Sequence, residues 1–194
     1  MCLNRGIKWF IGVYVVLVAL SFIFVKQVLA FDMVMYSGLM GVQSEVLNSL
    51  FLTITFLGST IFWVLIASML WISKDKKLST YLFLGLLLDT ILVLLLKFSF
   101  LRPRPEIGVF SEIGPSFPSA HTSRAFLGAS LIKYHRGILI VVAVLVAFSR
   151  LYLGVHYFSD VVFGAMNGIL ISIIVLQLPE KRLEKFLSKI AKKF

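Results

Sequence analysis

Apolar runs long enough to cross a membrane dominate the chain, and short polar breaks separate them. A hydrocarbon core about 30 Å thick takes roughly 20 residues of helix, and that ruler divides the sequence into six segments. They cover about 7–30, 46–72, 78–96, 119–134, 137–154 and 155–178. The second has no charged residue, and the third has a single internal acid, Asp89. The fourth is short, with His121 and Arg124 near its start; the fifth holds Arg150 near its end; the sixth opens with His156 and Asp160. Basic turns at 73–77 and 133–137 separate neighbours, whereas 98–118 contains Pro103, Pro105, Pro115 and Pro118 and cannot be one helix. The stretch 31–45 is expected to lie along the interface. In the tail 180–194, Leu183, Phe186, Leu187 and Ile190 recur at helical spacing among lysines, which predicts an amphipathic helix on an anionic leaflet. The expected fold is all-α, a single domain over 1–194. It is an integral membrane bundle of six transmembrane helices with a short extracytoplasmic loop region.

Composition supports the membrane assignment. The 194 residues are 59% apolar and 14% charged, with a mean hydropathy of +0.98. Soluble domains are about 25% charged, so this chain lacks the polar surface to cover a soluble globule. One cysteine, Cys2, leaves no disulfide scaffold, and the composition excludes intrinsic disorder and a coiled coil. The net charge is +10, yet the cations are confined to the breaks between apolar runs. That placement points to lipid head groups and topology, and away from nucleic acid. Trp9, Trp63 and Trp71 fall near segment ends, where interfacial belts are expected. Gly58, Gly128 and Gly164 are expected to serve close helix packing.

Orientation follows the cations. With six spans, 13 of the 19 Lys and Arg share the side of both termini, which is therefore cytoplasmic in a multi-pass protein of the cell membrane. Arg5 and Lys8 before an apolar stretch ending Val28-Leu29-Ala30 have the look of a signal peptide. The stretch is longer than a usual signal core and is read as a retained first span. Five of the six minority cations, Lys97, Arg102, Arg104, Arg124 and Arg150, sit near the extracytoplasmic ends of spans three to six. Ionisable groups at such places mark a site.

Spacing gives that site a chemistry. His156 and Asp160 are four apart, so a shared helix face would let the carboxylate fix one imidazole tautomer and leave the other nitrogen free as base or nucleophile. The run Pro118-Ser119-Ala120-His121 opens the fourth span, where backbone N–H groups and the helix dipole favour an anion. Fixed cations, a helix amino terminus, a His–Asp pair and a second histidine meet the needs of phosphoryl transfer. Three histidines and no acidic cluster offer no good divalent site, so neither metal nor cofactor is expected. Asp89 and Arg124 are left between structural and functional roles, and Arg102 is read as a loop or head-group contact.

These residues carry a resemblance. Lys97 through Arg104-Pro105, then Pro118-Ser119-Ala120-His121, then Ser149-Arg150 followed by His156 and Asp160, resemble in order the three-part signature of the type 2 phosphatidic acid phosphatases. These are membrane lipid phosphate phosphatases related to vanadium haloperoxidases. The match spans 97–160, and Ala120 stands where the family usually has glycine. The resemblance implies that His156 attacks phosphorus to give a phosphohistidine, with Asp160 orienting it. It further implies that His121 protonates the leaving group and then activates water. Lys97, Arg104, Arg150, Ser119 and the Ala120 backbone would hold phosphate oxygens, with no metal. The implied substrate is a membrane lipid phosphate at the outer leaflet, with polyprenyl diphosphate or phosphatidylglycerophosphate favoured. A lipid phosphotransferase and a non-catalytic lipid-phosphate binder or transporter are the alternative readings. Nothing in the sequence points to a protein partner.

Overall fold

The computed structural model describes residues 5–178, and these contain eight helices and no strand. They are α1 (Arg5–Ile23), α2 (Val25–Met40), α3 (Glu45–Phe56), α4 (Thr60–Ile72), α5 (Lys76–Phe100), α6 (Ala120–Leu131), α7 (Arg136–Tyr152) and α8 (Phe158–Leu176). The amphipathic tail expected at 180–194 lies outside the described residues. Polar caps set several of the starts. Ser59 Oγ accepts from Phe62 N at 3.1 Å to begin α4, and Asp75 Oδ1 accepts from Leu78 N at 3.2 Å to begin α5. At the far end of α5, Leu101 turns left-handed (φ 46°) while its N–H still reaches Lys97 O, and Pro103 two residues on prevents continuation.

Two predicted spans are broken. Segment 7–30 becomes α1 and α2, which meet at 88°, and residues 31–40 belong to α2. Segment 46–72 becomes α3 and α4, bent by 44°. At that break a side chain on Gly58 would come within 2.6 Å of Val146 Cγ1 and 2.9 Å of the His121 carbonyl oxygen. By length and composition α5 and α8 can each cross a membrane, and up to four spans result if each bent pair counts as one. The predicted fourth span contracts to the 12 residues of α6, roughly 18 Å of helix.

Helix α6 sits at the centre, against α8, α7 and α5. Its approach to α8 depends on missing side chains: a Cβ at Gly168 would lie 2.1 Å from Ser123 O, and one at Gly164 2.5 Å from Ser119 O. Gly128 likewise yields to the Trp63 ring, where a Cβ would meet Cη2 at 2.0 Å. Trp63 is thus 3% exposed in the core, and the interfacial place expected for it is corrected. Between α5 and α6, Ser123 Oγ donates to Asp89 Oδ1 and Arg124 Nε lies 3.8 Å from Asp89 Oδ2. Asp89 and Arg124 therefore tie two helices together.

Candidate active site

Alternation of direction brings four helix ends together: the carboxyl ends of α5 and α7 and the amino ends of α6 and α8. Lys97 rides the last turn of α5, Ser119 caps α6, His121 is in its first turn, and Arg150 is in the last turn of α7. Asp160 lies in the first turn of α8. His156 is not on α8 as the spacing suggested; it lies in the short link two residues before that helix. The pair still meets, with His156 Nδ1 3.5 Å from Asp160 Oδ2. What holds Asp160 in place is a capping contact, since Oδ2 accepts the Tyr157 N–H at 2.9 Å. The amino end of α6 is anchored to the same residue by Ser119 N to Asp160 O at 2.9 Å.

The link carrying His156 is pinned by the 101–119 loop. Gly154 adopts φ 69°, and a Cβ there would stand 2.7 Å from Ile107 O and 3.0 Å from Gly108 Cα. Glycine is required twice over, for conformation and for space. Val109 N donates to Leu153 O at 2.9 Å, which fixes the loop against the link. Arg104 is thereby aimed inward: Nη1 donates to Val155 O at 2.8 Å and stands 3.3 Å from His156 Nε2, while Nε donates to Gly114 O at 3.0 Å.

That contact assigns the tautomer. A guanidinium has only donors, so the His156 Nε2 facing it presents its lone pair and the proton resides on Nδ1, toward Asp160. His156 is 3% exposed. Burial, reinforced by the positive charges of Arg150 and Arg104, holds the imidazole well below its usual pKa. It is therefore neutral near pH 7, with its free electron pair on the cation side.

Arg150 is fully buried, with Nη1 donating to Thr55 Oγ1 at 2.9 Å. Its other arm, Nη2, contacts Glu112 Oε1, and Glu112 Oε2 lies 3.0 Å from Arg104 Nη1. Burial by itself would raise the Glu112 pKa, but Arg150 and the charges around it bring it down to about 2. The carboxylate thus occupies the space between the two guanidinium groups as an anion. A small cleft of about 120 Å³, lined by Arg104, Phe110, Glu112 and Val155 among others, opens at this point. Lys97 Nζ donates to Pro115 O and senses Arg104, Asp160 and Glu112; His121 senses Arg150, Glu112 and His156. Ser119 is buried, its hydroxyl accepting from Thr122 Oγ1 at 3.0 Å, and Ala120 is the first residue of α6. First-turn N–H groups lack acceptors within their own helix.

Three residues escaped the sequence reading. Arg102, read as a loop contact, is held inside: Nη1 donates to Asp160 Oδ1 at 2.9 Å and Nη2 to Asp32 Oδ2 at 2.7 Å. Asp32 and Glu112 carry no motif. Their only signal was acidity in a chain where nine acids face 19 cations, which made each a candidate partner for an extracytoplasmic arginine.

The chain is similar to other proteins in sequence and in fold. The chain is 25% identical to an undecaprenyl-diphosphatase of Sulfolobus acidocaldarius over 93% of this chain and 98% of that protein. It is 34% identical to phosphatidylglycerophosphatase B of Bacillus subtilis over 48% of this chain, spanning about half (54%) of that relative. Among solved structures, a transmembrane PAP2 type phosphatidylglycerolphosphate phosphatase from Bacillus subtilis superposes with a TM-score of 0.78 at 25% identity, covering 92% of this chain and 98% of that one. Aquifex aeolicus LpxE superposes with a TM-score of 0.70 at 30% identity, covering 75% and 94%. Residues 78–184, which hold every sequence-predicted site residue, match the PAP2 superfamily, and the chain belongs to it.

Proposed function

We propose that this protein is an integral membrane phosphatase that removes the terminal phosphate of a phosphorylated or diphosphorylated lipid at the outer leaflet. The observation that carries the reading is the meeting of a neutral imidazole nitrogen with a cationic cradle: His156 Nε2 stands 3.3 Å from Arg104, and Arg150 lies one carboxylate away. Arg104, Arg150 and Lys97 hold the equatorial oxygens, aided by Ser119 and the amide of Ala120. Nε2 attacks phosphorus in line, the bond to the leaving oxygen breaks, and His121 gives that oxygen its proton. Asp160 keeps the His156 Nδ1 proton in place as positive charge develops on the ring. Water, deprotonated by His121, then attacks the phosphohistidine, releasing phosphate and restoring both histidines. No step draws on a metal ion.

Six membrane crossings with both termini cytoplasmic suit this chemistry, because they put the cradle at the outer membrane edge. A lipid tail could stay in hydrocarbon there while its head enters the cations. The relatives' names favour a polyprenyl diphosphate or phosphatidylglycerophosphate as substrate. The test is phosphate release by the purified full chain in detergent from undecaprenyl diphosphate, phosphatidylglycerophosphate, farnesyl diphosphate and phosphatidate. His156→Ala and His121→Ala should each lower turnover on the best of these by about a thousandfold or more. Rates near wild type in both variants would remove the mechanism.

A further inference from the structure

Asp32 has no place in the chemistry described so far, and it lies outside the residues 78–184 that match the family. It is nonetheless among the most buried acids in the protein, 1% exposed, and it is the buried residue of α2. Its two oxygens are fully used at the amino end of α8. Oδ1 accepts the Ser159 N–H at 2.9 Å, and Oδ2 accepts the Ser159 hydroxyl at 2.5 Å and Arg102 Nη2 at 2.7 Å. Arg102 passes the constraint onward, with Nη1 reaching Ser159 Oγ at 2.6 Å and Asp160 Oδ1 at 2.9 Å. Its guanidinium also lies over the Tyr157 ring, 4.4 Å from the centroid.

The geometry points to Asp32 and Arg102 as positioning residues for the nucleophile, acting in series through Asp160 on His156. The inference rests on the phosphohistidine reading above. Three physical arguments support it. First, a carboxylate with one oxygen clamped by a guanidinium and the other by a backbone N–H has no freedom to rotate. Its Oδ2 therefore stays aimed at His156 Nδ1. Second, Arg102 brings a positive charge into contact with Asp160, which draws on the carboxylate that must stabilise charge on the His156 ring. Asp32 supplies a second negative charge on the other arm, so Arg102 does not draw on Asp160 alone. Third, Arg102 is held in one orientation by two buried carboxylates at once, so losing Asp32 frees its guanidinium to turn about the one contact that remains, and the clamp on Asp160 loosens. Helix α2 thereby enters the active site without touching substrate.

The test uses the full chain in detergent, with farnesyl diphosphate and dioctanoyl phosphatidate as probes. Asp32→Asn and Arg102→Lys should each lower kcat roughly ten- to hundredfold while leaving KM within about twofold, because orientation and not binding is lost. Arg102→Lys keeps the charge but cannot span both carboxylates, and it guards against the case in which Asp32→Asn does not fold. The double variant should be no slower than the slower single variant, as expected of a series. Modification of His156 by diethyl pyrocarbonate, read by peptide mass spectrometry, needs no turnover and so remains informative if the phosphatase reading fails. It should be at least several-fold faster in both single variants. Unchanged kcat and unchanged His156 reactivity in folded variants would overturn the inference, as would losses that multiply in the double variant.

Discussion

The carboxylate of Glu112 rests on the guanidinium of Arg150, the most deeply buried cation of the site, and its second oxygen is 3.0 Å from Arg104. A carboxylate bridging two guanidinium groups uses the donors that a phosphoryl group would need. An internal anion therefore competes with any incoming oxyanion for these donors. Removing it should make every oxyanion bind more tightly, by the reciprocal of the fraction of time the cradle stands open. Glu112→Gln is expected to strengthen inhibition by orthovanadate and by inorganic phosphate by the same factor, roughly tenfold. Steady-state inhibition of lipid phosphate hydrolysis checks it. Weaker inhibition would mean that Glu112 is needed to hold the two arginines in place.

The same residue sets an acid limit on stability. Its folded pKa of about 2 lies below the ordinary 4.5. A carboxylate depressed in this way contributes stability that is complete above about pH 4.5 and is lost as the pH falls toward 2. The melting temperature of the wild type in detergent should drop across that window, and Glu112→Gln should lack this part of the drop. Intrinsic fluorescence melts at half-unit pH steps would show it. Identical profiles for the two proteins would exclude the ion pair as the cause.

Burial, with Arg150 and Arg104 in support, keeps His156 neutral to well below its usual range. Its own titration therefore cannot set the acid limb of kcat/KM near pH 6.5. Arg150→Gln removes one of the cations that oppose protonation. The limb belonging to His156 should then move to higher pH, while the substrate's own phosphate titration, common to both proteins, stays fixed. Comparison of the two pH–rate profiles on one substrate checks the direction, whatever rate the variant retains. A limb that moves to lower pH would contradict Arg150 as a charge that helps to keep His156 neutral.

The motif residues were legible because their chemistry constrains both type and spacing. Lys97, Arg104, His121, Arg150, His156 and Asp160 gather at one end of the bundle as expected, since helices of alternating direction must return there. The helix on which His156 was placed was wrong for a local reason. Gly154 turns left-handed under the 101–119 loop, so α8 begins only at Phe158. Hydropathy cannot register a break such as Gly58, which depends on Val146 and His121 pressing from other helices. Arg102, Asp32 and Glu112 were missed for a related reason. Apart from Arg104, eight positions before Glu112, the partners that set their roles lie 38 to 127 positions away in sequence, and a single sequence carries no pairing signal over that range. Trp63 was misplaced because position near a segment end says nothing of the empty volume that Gly128 leaves beside it.

Contact between α6 and α8 sets the spacing of the whole site, because Ser119 and His121 begin one helix and Asp160 begins the other. At Gly168 an added Cβ would stand 2.1 Å from Ser123 O and 2.7 Å from Leu127 N, both backbone atoms that cannot swing aside. Gly168→Ala must therefore push the helices apart, at a cost of about 1–3 kcal/mol of overpacking. Gly38→Ala is the matched control: it lies within α2 with nothing inside 4 Å of the new methyl, and alanine there gains roughly 0.5–1 kcal/mol of helix preference. The melting temperature should fall for Gly168→Ala and hold or rise for Gly38→Ala. Turnover should fall in the first alone, because the close approach of α6 and α8 that Gly168 permits also sets the distance between the helix starts that carry His121 and Asp160. Equal melting temperatures would show that α6 and α8 are not in the close contact on which the placement of His121 opposite His156 depends.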